Sequence, residues 1–188
     1  MILEEYKPIK DNILSIKSKC FVRSQKDCVF PEKCAACTRE NCCRLRPCAF
    51  APEQFLDLTN KNYLLRLLKT RAIIIAPVGN HTLGIRARGK NDPPNIINNI
   101  ILDYNPCALL TEHGCTLDYT FRPVEGLLVI PDEEMCLGLY EQEERENDWK
   151  AYQNYLKRLG ARYGDKYLGY GPVTSEEIEE YKRLFLHL

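Results

Sequence analysis

The sequence predicts an α+β fold: a small cysteine-rich metal knot packed on a mainly helical body with a short β-hairpin or small antiparallel sheet. Three observations predict it. Six cysteines (Cys28, Cys34, Cys37, Cys42, Cys43 and Cys48) crowd residues 28–48, where only Val29, Phe30, Ala35, Ala36 and Leu45 are apolar. A β-branched run at 72–76 and an alternating run at 81–88 flank the turn signal Pro77-Val78-Gly79-Asn80. Much of the remaining chain repeats Leu, Ile and aromatic residues at helical spacing.

The knot cannot bury enough apolar surface to offset the entropy of ordering its own backbone. Thiolate–metal bonds or disulfides must cross-link it, and structural zinc contributes roughly 10–16 kcal/mol in small peptides. The whole chain, 188 residues, suits a single domain whose body folds on ordinary hydrophobic terms. Its 26 basic and 26 acidic residues cancel, which argues against a dominant nucleic-acid-binding surface. Residues 1–10 lack the basic-then-apolar pattern of a signal peptide, and the longest apolar run, 72–78, is far too short to span a membrane. The expectation is a cytoplasmic protein, and in that compartment clustered cysteines bind metal more often than they form disulfides.

Taken in order, Ile9, Ile13 and Ile16 predict a short helix packed on the body, with Cys20 at its end as a free thiol. After the knot, Pro52 opens a helical stretch over 52–58, and Thr59 caps a helix that carries Tyr63, Leu64, Leu67 and Leu68 on one face. The hairpin follows, then a loop over 89–95 containing Asp92-Pro93-Pro94. Residues 95–104 fit either a helix or a strand. Cys107 and Cys115 bracket a loop containing His113-Gly114, and residues 127–130 read as a strand. The C-terminal helices occupy 131–188. Pro131 with three acidic residues starts a helix whose seam is Met135, Leu139, Trp149, Tyr152, Leu156 and Leu159, ending at Gly160. A Gly- and Tyr-rich loop follows over 160–172. Thr174-Ser175-Glu176-Glu177 is a capping box for a last helix with Ile178, Tyr181 and Phe185 inward.

Cys34-x2-Cys37 is a chelating pair, because two intervening residues let both sulfurs face one ion. The next cysteines, Cys42 and Cys43, are adjacent, and neighbouring side chains diverge. Either one of them is structural or the two face different metals. Cys107 and Cys115 are the natural remaining ligands and should lie against the knot. With Cys28 and Cys48 the candidates number eight, enough for two four-thiolate sites without requiring two. Cys28, Cys48 or both are otherwise buried apolar cysteines, as Cys136 is expected to be on its helix seam.

Cys34-x2-Cys37-x4-Cys42-Cys43, followed by a Pro-initiated helix, resembles the YkgJ-like zinc- or iron-chelating cysteine-cluster family. The later run Cys107-Ala108-Leu109-Leu110, then Cys115-Thr116-Leu117-Asp118-Tyr119 and Arg122-Pro123, resembles that family's second motif. There two cysteines precede an Arg-Pro pair and a further cysteine. The resemblance covers residues 28–131. This chain departs from it by four residues rather than two before the double cysteine, and by Gly126 where the family places its last cysteine. Cys48 or His113 could replace that thiolate. The resemblance implies cysteine-bound zinc or iron and says little about activity.

Arg86, Arg88 and Lys90 alternate along one strand face, with Arg71 near. They read as a solvated face, or as an anion patch. His81 and His187 read as a turn and a surface residue, and the acidic run 141–146 as a solvated helix face. No nucleophile elbow, phosphate loop or dinucleotide fingerprint appears. The spacing Cys28-x5-Cys34-x2-Cys37 does not match the Cys-x3-Cys-x2-Cys of radical-generating clusters, and the bacterial ferredoxin run is absent. The expected function is a metal-binding protein with a structural cluster and an interaction or regulatory role, with a protein partner. The alternative is a redox or iron–sulfur protein, or an enzyme related to methyltransferases that uses the cluster.

Overall fold

The computed structural model of the chain describes residues 43, 45–93, 104–112, 114–130, 137–163 and 172–186. Within them the architecture is α+β. A first 3-10 turn, Pro52–Gln54, leads to helix α1, Lys61–Lys69, and then to the hairpin β1, Ile73–Pro77, and β2, Leu83–Ala87. The pair β3, Leu110–Thr111, and β4, Gly114–Cys115, precedes the short helix α2, Val124–Leu127. Next come β5, Val129–Ile130, and β6, Leu137–Gly138, then helices α3, Gln142–Trp149, α4, Gln153–Tyr163, and α5, Ser175–Leu186.

The expected hairpin is present, antiparallel, in register from Ile73↔Ala87 to Pro77↔Leu83. Its second strand is paired on both edges. Phe50 N–H donates to Ile85 O (2.9 Å) and Ala87 N–H to Cys48 O (3.0 Å), so residues 48–50 line the edge opposite β1. Beyond β2 the ladder continues: Ala108 N–H donates to Arg88 O and Lys90 N–H to Pro106 O, both at 2.7 Å. Both faces of the hairpin are covered. The face expected to be solvated is not: Arg86 and Arg88 are 8% and 5% exposed. Only Lys90 of that alternating set is exposed. Strand alternation separates two faces but does not say whether the second meets water.

The core lies between the hairpin, α1, α4 and α5. Phe50, Phe55, Trp149, Tyr181 and Phe185 meet there in tilted or edge-to-face contacts, with Phe50–Phe55 centroids 5.3 Å apart and Phe55–Trp149 6.3 Å. Trp149 is fully buried, and its Nε1–H donates to Phe50 O at 2.8 Å. Its indole lies on β2 at Gly84. A Cβ at Gly84 would come within 2.9 Å of Trp149 Cδ1 and 2.7 Å of Val78 Cγ1. Gln153 fixes the same strand by imitating a peptide unit: it accepts from Leu83 N–H (2.9 Å) and donates to Leu83 O (2.7 Å).

Several boundaries differ from expectation. Asn60, not Thr59, caps α1, its Oδ1 accepting from Asn62 N–H (3.1 Å) and Tyr63 N–H (3.2 Å). Thr59 is already held by Asp57 Oδ1, which takes its N–H and its hydroxyl. The stretch 52–58 is helical only for its single 3-10 turn. Residues 124–127 form α2, and only Val129–Ile130 is strand. One continuous helix over 131–160 does not form, because Leu137–Gly138 pairs with β5 and Leu139 N–H donates to Leu128 O (2.9 Å). Those bonds take backbone groups that a helix would need. Helix α3 starts at Gln142, and α4 runs past Gly160 to Tyr163. The seam from Trp149 through Leu156 to Leu159 is buried as expected. The acidic run is not merely solvated either: Arg145 within it is buried, and Glu146 Oε1 accepts from Asn80 N–H at 2.9 Å. The helix expected at residues 9–16, the ambiguous segment 95–103, Met135, Cys136 and His187 lie outside the described residues. No described helix is long and apolar enough to cross a membrane.

The capping box on α5 forms as read, with Glu177 N–H donating to Thr174 Oγ1 (3.3 Å) and Thr174 N–H to Glu177 Oε2 (2.9 Å). Glu177 also pairs with Arg71, through Nε and through Nη2 at 2.6 Å. Arg71 occupies the corner between α1 and β1 in the left-handed region, φ 59°, where glycine is usual. The ion pair thus fastens α5 to a corner whose backbone costs on the order of 1 kcal/mol.

Two outcomes follow for stability. Gly84→Ala should lower the unfolding free energy by about 1–3 kcal/mol, the cost of overpacking, read from denaturant midpoints. Burial works against the Glu177 carboxylate, but bonds from Arg71 and the Thr174 N–H outweigh it and hold its pKa below the usual 4.5. A depressed carboxylate stabilises above its unfolded pKa and loses that contribution as pH falls through its folded one. The stability gap between the natural chain and Glu177→Gln should therefore be full at about pH 6 and vanish towards about pH 3. An unchanged gap at the acid end would remove this assignment.

Candidate metal centre

Of the expected ligands, Cys43, Cys48, Cys107 and Cys115 lie among the described residues; Cys28, Cys34, Cys37, Cys42 and His113 lie outside them. The described four come from two distant stretches of chain that the backbone brings together. Cys107 N–H donates to Cys43 O and Asn105 N–H to Leu45 O, both at 2.7 Å. Cys48 hangs on β2 through its carbonyl, and Cys107 forms an antiparallel bridge with Gly89 at the extension of the same strand. Cys48 and Cys107 are buried, while Cys43 and Cys115 are half-buried.

Cys43 Sγ and Cys48 Sγ are 3.9 Å apart. Burial pushes the Cys107 thiol well above its usual range, Cys43 and Cys115 add repulsion, and an N–H from Leu109 opposes them. Cys115 repeats the local pattern, with Leu117 N–H donating to its Sγ at 3.4 Å. In both, the amide two residues on points at the sulfur. A bound cation would reverse the effect of burial, since coordination deprotonates a thiol outright. Among the described residues, no three Cys, His, Asp or Glu side chains are gathered closely enough to hold a metal ion.

Gly126 explains itself beside Cys48. A Cβ at position 126 would lie 3.4 Å from Cys48 Sγ and 3.6 Å from its Cβ. The position at which the resemblance places a cysteine therefore faces Cys48. Arg122 of the Arg-Pro pair holds the loop after Cys115, its Nε donating to Leu117 O at 2.7 Å.

Buried carboxylates, which sequence reading missed, fix both stretches. Asp92, its side chain fully buried, receives both Arg86 Nη1 and Nη2 (2.8 and 2.7 Å), Gly89 N–H (2.7 Å) and Asn105 Nδ2 (2.7 Å). It clamps the end of β2 to the residues just before Cys107. Glu125 accepts from Ala49 N–H at 2.6 Å and lies 3.2 Å from Arg145 Nη1, anchoring the residue after Cys48 to α2. Gln54 completes that anchor, accepting from Val124 N–H (2.8 Å) and donating to Arg122 O (2.9 Å). An Asp-Pro loop two steps after an alternating Arg strand was a signal for the first clamp. Nothing in the spacing signalled the second. Among the described residues Arg88 has no such acceptor: its Nη1 is buried without a hydrogen bond, and burial, then Arg71, lower its pKa.

No family model, curated protein or solved structure matches this chain.

Asp92→Asn should cost about 3–5 kcal/mol, because it leaves the Arg86 guanidinium buried without its charge partner. Amide exchange at Lys90 and Ala108 should accelerate more than exchange within α5. Equal loss of protection in both regions would mean that Asp92 supports the whole fold rather than the cysteine-bearing stretch.

Proposed function

We propose that this chain is a cytoplasmic metal-binding protein whose cysteine cluster holds zinc, or iron, with a structural purpose. The ligands would be drawn from Cys28, Cys34, Cys37, Cys42, Cys43, Cys48, Cys107 and Cys115, and the protein would serve an interaction or regulatory role with a protein partner. The observation that carries this reading is the 2.7 Å bond from Cys107 N–H to Cys43 O. It brings Cys43, near the end of the cysteine-dense stretch, against the later cysteine loop, as shared coordination requires. Cys48, facing Gly126, is the reading's replacement for the thiolate missing there. A thiolate-bound metal would supply the cross-link that residues 28–48 lack in apolar surface.

The test is elemental analysis and a visible spectrum of protein purified anaerobically. At least one zinc or iron per chain is expected, colourless if zinc. Absorption typical of an iron–sulfur cluster would shift the reading to the redox alternative, and metal near zero in reduced, folded protein would sink both. A strong chelator should then release amide protection at Asn105 and Cys107 first, while α4 and α5 keep theirs. Simultaneous loss in those helices would mean that the metal holds the entire domain.

A further inference from the structure

Helix α4 contains no acidic residue, and its exposed face is the series Asn154, Lys157, Arg158, Ala161 and Arg162. These positions recur at three and four, so their side chains share one stripe. Lys61, the first residue of α1, joins it from a distant part of the chain. Its Nζ lies 5.7 Å from the Tyr163 ring centroid, and Arg162 Cζ lies 5.5 Å from the same centroid. Lys61, Lys157, Arg158 and Arg162 are all exposed, so two helices contribute cations to one patch.

Among the described residues none of these cations has an ion pair, and Arg158 Nε donates only to Asn154 O of its own helix, at 3.2 Å. The cations of α5 are placed differently. Lys182 is bonded to Glu179 at 2.9 Å and Arg183 to Glu180 at 2.6 Å, while Arg66 on α1 also reaches Glu180, at 3.8 Å. Two carboxylates lie towards α4. Asp57 acts on Tyr155 but is bonded to Thr59 and Asn60, and Asp148 takes the Tyr140 hydroxyl at 2.6 Å. Four cations against both of them still leave a positive surplus, and the next two charges in sequence, Asp165 and Lys166, cancel. Helix stability does not account for the arrangement. The macrodipole favours Arg162 in the last turn, but Arg158 and Arg162 repel at a separation of four, and Lys61 stands at the positive end of α1.

We propose that this stripe receives an acidic protein segment, a helix with carboxylates three and four residues apart. Side chains so spaced lie about 5–6 Å from one another, the same interval as cations one turn apart on α4. No apolar side chain larger than that of Ala161 lies in the stripe, whereas a membrane surface would require several. Two cations already stand over the Tyr163 ring, the group that a nucleic-acid base would stack on. The inference rests on the interaction role proposed above and not on bound metal.

The experiment is fluorescence anisotropy of a labelled helical peptide of about twelve residues with glutamates three and four apart. It is titrated with the full chain as isolated, beside a scrambled isomer of the peptide and a single-stranded oligothymidylate. Saturable binding of the periodic peptide is expected, about tenfold tighter than that of the isomer and weakened by salt. Arg158→Gln combined with Arg162→Gln should weaken it about tenfold or more. Arg66→Gln combined with Arg183→Gln removes two exposed arginines already paired with Glu180 and should leave it within about twofold. All four side chains are exposed, so neither pair endangers the fold. Absence of saturable binding, equal affinity for the isomer, equal weakening by both pairs, or tighter binding of the oligothymidylate overturns the proposal. Metal content measured on the same sample separates a failure here from a failure of the metal reading.

Discussion

Everything near the cysteines depends on β2 being hydrogen-bonded on both edges and past its end. One edge carries β1, the other carries residues 48–50, and the extension at 88–90 carries residues 106–108. Cys48 and Cys107 therefore take their places from a single rigid strand rather than from their own loops. The distance between the two stretches is set by a β-ladder, whose geometry varies little.

The frame is held by carboxylates rather than by apolar contact alone. Asp92, Glu125 and Glu177 each join an arginine to a backbone N–H, and the last two tie stretches far apart in sequence. Charge-assisted bonds of this kind are short and directional, and they satisfy amides that strand ends and helix starts leave open. Such pairs add little net stability over apolar substitutes, but breaking one partner is costly. Their contribution is to position: Asp92 sets the entry to Cys107 and Glu125 sets the exit from Cys48.

The aromatic core stands apart from this polar framework. Phe50 links the two, because its ring lies among Phe55 and Phe185 while its backbone is bonded to Ile85 and to the Trp149 indole. Cys48 is two residues from that core residue.

Periodicity and punctuation in the sequence by themselves determined the hairpin with its turn, the buried face of α1, the Trp149–Leu159 seam, and the capped α5 with Tyr181 and Phe185 inward. These are local properties, in which the residues that decide lie within a few positions of one another. The sequence also pointed Cys107 towards the double cysteine, and its N–H is bonded to Cys43 O. Only the tertiary structure decided that the arginine face of β2 is buried, since a covering layer leaves no trace in strand alternation. It alone ended the expected long helix at β6, because β5 competes for the same backbone groups. It alone placed Gly126 against Cys48, and Asp92 and Glu125 beneath the cysteine-bearing stretches. The Gly126 and Glu125 contacts join residues tens of positions apart, and their partners are chosen by the packing of whole elements, which no local pattern encodes.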